Sequence, residues 1–199
     1  MKTLTKEYKV YSFSELSAEA KEKVKQWYLE GQEADIFTDD IKEILSSEYG
    51  ITTLSTYYSL GYCQGDGLCL YGYILFNDLK SDKFKNIAFK NFTISDYKAF
   101  HELENHALKI DFKHNGRYYY ASSTDIDIDY YCNSNKMEKL IDKMINKLLT
   151  NIKHWYFAEC NNFEKDGYSY FYEIDDSDLS EICDDNNYTF LADGNLFCE

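Results

Sequence analysis

The sequence predicts an α+β fold: an antiparallel sheet of hairpins packed against an N-terminal helical pair and one long helix in the C-terminal half. Three observations predict it. Apolar residues recur at helical spacing in three separate stretches, and β-branched and aromatic runs flank glycine-containing turns in two others. A chain of 199 residues that is 44% hydrophobic also has the length and apolar content of a single core with, at most, an appendage. Proline is absent altogether, so turns must come from Gly, Asn, Asp and Ser.

The elements follow in order. Tyr8, Val10, Tyr11 and Phe13 suggest a short opening strand. Ser17 is placed to cap a helix in which Ala20, Val24, Trp27 and Tyr28 form the apolar face, with Lys21, Lys23 and Lys25 on a solvated side and Gly31 at the end. A second helix is expected over Thr38–Tyr49, capped by Thr38 or Asp39 and stopped by Gly50. Residues 51–76 read as a hairpin around Gly65-Asp66-Gly67, and 94–103 as a helix capped by Ser95. A second hairpin joins 107–112 to 118–131 through Asn115-Gly116, a strong short-range turn signal. The stripe Met137, Leu140, Ile141, Met144, Ile145, Leu148, Leu149, Ile152 and Trp155 marks a long helix over 133–160. Its continuation to Tyr172 is weakened by Gly167, since glycine costs about 1 kcal/mol relative to alanine in a helix interior. A short helix at 176–183 and a small hairpin around Asp193-Gly194 end the chain. The expected organisation is a body over 1–158 and an acidic segment over 159–199 packed on the same domain.

Charge narrows the function classes. Twenty-one basic residues face 35 acidic ones, a net charge of −14, and Arg117 is the single arginine. Bidentate guanidinium readout of nucleic acid is nearly excluded, and the natural partner is a protein with a basic surface. Residues 159–199 hold twelve carboxylates and one cation, Lys165, so −11 of the −14 lies in the last 41 residues. Asp175, Asp176, Asp178, Asp184 and Asp185 are therefore candidate binding residues. The six cysteines form no CxxC pair and have no histidine at finger-like spacing, so each is expected to be a small buried hydrophobe and no metal or cofactor is expected. Neither a signal peptide nor a run of 18 apolar residues is present, which predicts a cytoplasmic protein without membrane contact.

Two constellations could carry chemistry. In Gln64-Gly65-Asp66-Gly67 the glycines would let backbone approach a ligand, with Asp66 orienting water or a cation, or else Asp-Gly merely builds the bend. Asp125, Asp127 and Asp129 alternate with Ile126 and Ile128, placing three carboxylates on one face of a strand. That row is a solvated sheet face, a metal site shared with Asp66, or a mimic of phosphate charges. His101, His106, His114 and His154 are scattered without an assignable nucleophile. The abundant tyrosines, Tyr118-Tyr119-Tyr120 among them, suit core packing or a protein-binding surface.

Three separated signatures resemble a known family: Ser12-Phe13-Ser14-Glu15-Leu16-Ser17 with Ala20-Lys21 and Trp27-Tyr28; Gly61-Tyr62-Cys63-Gln64-Gly65-Asp66-Gly67; and Asn187-Tyr188-Thr189-Phe190 with Asp193-Gly194 and Leu196-Phe197. The family is phage- and prophage-encoded and labelled "antitoxin of toxin-antitoxin stability system". Its central motif usually reads Ser-Gln-Gly-Asp-Gly, so Cys63 stands here in place of the serine. The resemblance implies an origin on mobile elements, and small acidic phage proteins look like anti-CRISPR inhibitors. The leading expectation is a non-enzymatic anti-defence protein that binds a basic, nucleic-acid-binding surface of a host effector such as an RNA-guided nuclease. Alternatives are a metal-dependent hydrolase acting on RNA or a nucleotide, with Asp66 and Gln64 as its catalytic residues, and an antitoxin that neutralises a basic toxin.

Overall fold

The computed structural model describes residues 6–103, 108–130 and 137–198. It is a mixed helix and strand fold. In chain order the described elements are α1 (Ala18–Glu30), α2 (Ala34–Tyr49), β1 (Leu54–Ser59), β2 (Gly67–Leu75), α3 (Phe76–Leu79), α4 (Lys85–Ala88), α5 (Ile94–Glu102), β3 (Lys109–His114), β4 (Thr124–Asp129), α6 (Glu138–Tyr172) and α7 (Asp176–Asp185). The four strands form one antiparallel sheet in the order β1-β2-β3-β4.

The chain divides into two units. One joins residues 1–33 to 168–199, and the other is the continuous stretch 34–167. The boundary expected at 158/159 therefore falls inside α6.

In the sheet-bearing unit, Leu54, Leu68, Leu70, Ile74, Ile110, Phe112 and Ile126 are buried, as are Ile141, Met144, Leu148, Ile152 and Tyr156 of α6. The Tyr156 hydroxyl donates to the Leu70 carbonyl at 3.2 Å, so the aromatic that fills the interior also satisfies its own polar tip. The α2 helix begins one turn before the expected Thr38, because Phe37 is buried on the same face as Ile41 and Leu45 and extends the apolar stripe by one turn. It stops at Gly50 as predicted: Gly50 has φ +71°, and the Ile51 N–H reaches back to the Leu45 carbonyl at 3.0 Å.

Helix α5 is capped by Thr93 rather than Ser95. The Thr93 hydroxyl accepts the Asp96 N–H, and the Asp96 carboxylate in turn accepts the Thr93 N–H at 2.7 Å. Asp96 is buried, and the same oxygen accepts the Lys147 ammonium at 2.8 Å. Burial alone would raise its pKa, but Lys147 and the two Thr93 donors outweigh it and hold the carboxyl at about 2. An unfolded aspartate titrates near about 3.9. The pair therefore stabilises the fold fully above about pH 4, and its contribution is lost as pH falls toward 2. In Asp96→Asn the acid-dependent part of the melting curve between about pH 4 and 2 should flatten, with about 2–3 kcal/mol lost at neutral pH from the unpaired Lys147. Thermal melts across pH read both effects.

The second hairpin forms, but not through a two-residue turn. β4 starts only at Thr124, and residues 115–123 make a longer loop closed by a 3-10 turn at Ala121–Ser123 and by the Asn115 N–H on the Ser123 carbonyl at 2.9 Å. The loop carries Tyr118–Tyr120 away from the sheet ladder to a packing role described below, which overrides the local turn preference. Residues 104–107, including the expected strand start and His106, and 131–136, including Cys132 and the expected start of the long helix, lie outside the described residues.

α6 runs through Gly167 to Tyr172. A Cβ at position 167 would meet Leu60 Cδ1 and lie 2.8 Å from Phe37 Cζ, and both side chains are buried. Glycine is thus required by close approach. Gly167→Ala should lower stability despite the helix-propensity gain of about 1 kcal/mol, as a reduced urea midpoint would show.

In the other unit Phe13, Leu16, Ala20, Val24, Leu179, Cys183 and Phe190 form a compact core. Ser17 caps α1 as expected, accepting the Ala20 N–H at 3.3 Å. The opening strand shrinks to one bridge between Tyr11 and Phe190, because Phe13 turns into a 3-10 helix fixed by Ser12 and Glu15. The terminal hairpin is likewise a single bridge, Phe190 to Leu196.

Candidate functional site

Asp66 is the centre of the β1–β2 loop. Its Oδ2 accepts the backbone N–H of Gly61 at 2.7 Å and of Cys63 at 2.9 Å. Oδ1 accepts the Ser59 hydroxyl at 3.2 Å and the Cys63 thiol at 3.1 Å. Four donors from its own loop thus surround one carboxylate, which staples the connection. The same bond pushes the Cys63 thiol above its ordinary value, since Asp66 accepts its proton and would repel a thiolate; the thiol is not an activated nucleophile. Cys63 occupies the donor position that serine would fill in the resembling motif. Cys63→Ser should keep the loop bond and leave stability within about 0.5 kcal/mol, whereas Cys63→Ala should lose about 1 kcal/mol, both measurable by denaturant titration.

The flanking glycines serve packing. Gly65 has φ +105°, and a Cβ there would lie 2.5 Å from the Tyr118 ring. At Gly67 a Cβ would come within 3.0 Å of Tyr120 and 3.1 Å of the Tyr119 carbonyl oxygen. The tyrosine triplet therefore closes over the loop, and the long β3–β4 connection exists to deliver it. Gln64 is exposed, and its side chain makes no hydrogen bond among the described residues. Beside the triplet, Tyr57 stacks on Tyr71 with ring centroids 3.9 Å apart and on Tyr119 at 5.4 Å.

Asp125, Asp127 and Asp129 are exposed while Ile126 is buried, as the alternation predicts. Their cross-strand partners on β3 are Lys113, Asp111 and Lys109 respectively. Lys109 binds Asp111 at 2.5 Å and Lys113 lies 3.8 Å from it, so lysines alternate with carboxylates across the two strands. Asp125 additionally accepts the Asn115 amide at 2.5 Å. Among the described residues no group of three or more His, Cys, Asp or Glu side chains is placed to hold a metal ion, and Asp66 spends its oxygens on its own loop.

One pairing was invisible to sequence reasoning. The Cys69 sulfur lies 3.6 Å from His114 Nδ1, and His114 Nε2 lies 3.0 Å from the Gly116 carbonyl oxygen, which can only accept. With Nε2 donating to that carbonyl, Nδ1 faces the thiol. Cys69 is fully buried and burial raises its pKa, so the pair is a packed polar contact rather than a nucleophile with its base. Cys160 is pushed by burial to about 12 and Cys183 is also raised; Cys69, Cys160 and Cys183 are small buried hydrophobes as expected, whereas Cys63 and Cys198 are exposed, against that expectation.

The acidic run separates between the units. Glu159, Glu164, Lys165 and Asp166 belong to the sheet-bearing unit; the other nine carboxylates belong to the terminal unit. That unit holds fifteen acidic and six basic residues, a net −9, against −5 for residues 34–167 with twenty and fifteen. The α1 lysines are not simply solvated. Lys25 binds Asp176 at 2.6 Å, Lys21 lies 3.7 Å from the same carboxylate, and Lys23 lies 3.9 Å from Asp193; the Lys25 bond depresses the Asp176 carboxyl. Asp175, Asp178, Glu181, Asp184 and Asp185 are exposed and have no ion pair among the described residues.

Among the described residues no helix is long and apolar enough to cross a membrane. No curated protein and no solved structure matches the chain. A family model does: it spans residues 34–169, nearly coincident with the sheet-bearing unit that contains the Asp66 loop and the aspartate row, and leaves α1 and α7 outside. The chain belongs to that family, the domain of unknown function DUF8835.

Proposed function

We propose that the protein is a non-enzymatic binding protein of the anti-defence type, which docks its acidic terminal unit on a basic, nucleic-acid-binding surface of a host effector nuclease. One observation carries this reading: five exposed carboxylates on and beside α7 form no ion pair among the described residues, while the α1 lysines are committed to Asp176 and Asp193. A surface of one sign steers an oppositely charged partner and competes with nucleic acid for it. The Asp66 loop supports the same reading, because its carboxylate is engaged in holding the chain together rather than offered to a substrate.

The test is inhibition of a panel of RNA-guided nucleases by excess protein at low salt. Inhibition should weaken by tenfold or more as salt rises from roughly 0.05 to 0.5 M. Replacing Asp178, Asp184 and Asp185 by Asn and Glu181 by Gln should have the same effect without changing the fold. A panel wholly unaffected at low salt removes the proposal.

A further inference from the structure

The terminal unit contains a hollow of about 360 Å³ lined by Trp27, Tyr28, Gly31, Gln32, Ile182, Asn186 and Tyr188. Its walls are aromatic: the Trp27 and Tyr188 rings stand edge to face with centroids 5.6 Å apart, and Trp27 is 39% exposed. Its polar groups are biased toward acceptance. The Asn186 amide NH₂ donates to the Ile182 carbonyl at 2.8 Å, and the Gln32 amide NH₂ lies 3.5 Å from the Tyr28 carbonyl. Carbonyl oxygens only accept, so each contact is made by an NH₂, and among the described residues no donor reaches either amide oxygen.

Five carboxylates adjoin the lining residues in sequence. Glu30 precedes Gly31, Glu33 follows Gln32, Glu181 precedes Ile182, and Asp184 and Asp185 precede Asn186; all five are exposed and none forms an ion pair among the described residues. No Lys or Arg lines the hollow.

We infer that this hollow is the anchor point for an arginine side chain of the basic partner, an inference that rests on the acidic docking surface proposed above. A guanidinium stacks on aromatic faces and carries five donors and no acceptor, which matches aromatic walls, unfilled amide oxygens and a unit of net charge −9. An ammonium satisfies the charge but cannot stack as a plane, and an uncharged side chain satisfies neither. Arginine anchors set in aromatic pockets are the kind of contact that dominates interface energetics.

The probe is the acetylated, amidated peptide Gly-Arg-Arg-Gly, with its citrulline counterpart as the neutral isostere and its lysine counterpart at equal charge. Binding to the full chain is followed at low salt by the NMR signal of the Trp27 indole N–H. The arginine peptide should shift that signal saturably, bind about tenfold more tightly than the lysine peptide, and lose its effect when citrulline replaces arginine. Trp27→Ala should remove binding. Because Trp27 also packs on Phe190, Gln32→Lys provides a second variant at the edge of the hollow: it places a like charge there, and should weaken the arginine peptide by tenfold or more with an unchanged melting temperature. If the arginine peptide binds while the Trp27 signal stays fixed, or if the lysine peptide binds as well as arginine, the inference is overturned and the acidic docking surface stands. If no basic peptide binds at low salt, both fall.

Discussion

Asp66→Ala should melt the β1–β2 connection and cost about 2–4 kcal/mol. The carboxylate receives four donors, two of them backbone N–H groups, and charge-assisted bonds of this kind are the stronger class. Because the loop is partly solvated, water replaces some of what is lost, which keeps the cost below the sum of four buried bonds. The local signature is sharper than the global one: the Gly61 and Cys63 amides should lose hydrogen-exchange protection first. Asp66→Asn should fall between wild type and Asp66→Ala, since an amide oxygen can still accept from the backbone pair while its NH₂ turns to the Ser59 hydroxyl. A catalytic or metal-ligating aspartate would show the opposite pattern, intact stability with lost turnover. Hydrogen exchange and denaturant midpoints on the two variants separate these outcomes.

Gly72→Ala should be at least as damaging, about 3–5 kcal/mol. Gly72 sits within β2 at φ +128°, a conformation that costs an L residue about 1–3 kcal/mol. A Cβ there would also collide with the Thr53 carbonyl oxygen and lie 3.3 Å from Leu54 Cα. These are backbone atoms at the start of β1, so relief requires moving the strand rather than a side chain, at about 1–3 kcal/mol more. The Tyr73 N–H on the Thr53 carbonyl and the Thr53 hydroxyl on the Tyr73 carbonyl would be disturbed together. A large drop in the urea midpoint, with exchange accelerated in β1 and β2, is the expected result; an unchanged midpoint would mean that the strand can slide without cost.

Neither residue advertised its role equally in the sequence. Asp66 stands among glycines in a turn, a setting that points to either a ligand or a local staple. The deciding partners, Ser59, Gly61 and Cys63, lie within seven residues of it, so the staple was in principle legible. Gly72 looked like any glycine in a strand, because its necessity comes from Thr53 across the ladder. The long periodic helices were readable for the reason that periodicity is a local property: Ser17, Gly50 and the stripe from Met137 to Trp155 all behave as their spacing predicts.

What failed was decided at long range. Asn115-Gly116 did not form a two-residue turn because Tyr118–Tyr120 are needed against Gly65 and Gly67. The helix expected to 160 continues to Tyr172, and the glycine that weakens it stands where Leu60 and Phe37 leave no room for a side chain. The lysines of α1 appeared solvated because Asp176 and Asp193 lie some 150 and more positions away in the chain. Cys69 and His114, 45 residues apart, meet only through the sheet. For the candidate site, the charge asymmetry was readable by counting, while the aromatic hollow needed α1 and α7 to be placed together.

The terminal unit draws its core from both ends of the chain: Phe13, Leu16, Ala20 and Val24 from the first, Leu179, Cys183 and Phe190 from the last. On the ribosome this has a consequence for timing. The sheet-bearing stretch is continuous and can complete its core while synthesis proceeds, but α1 must keep its apolar face uncovered until Leu179, Cys183 and Phe190 emerge. The hollow and the exposed carboxylates of α7 therefore form only after Phe190 has been made, so a product truncated before α7 would retain the DUF8835 domain and lack the surface through which the protein is proposed to act.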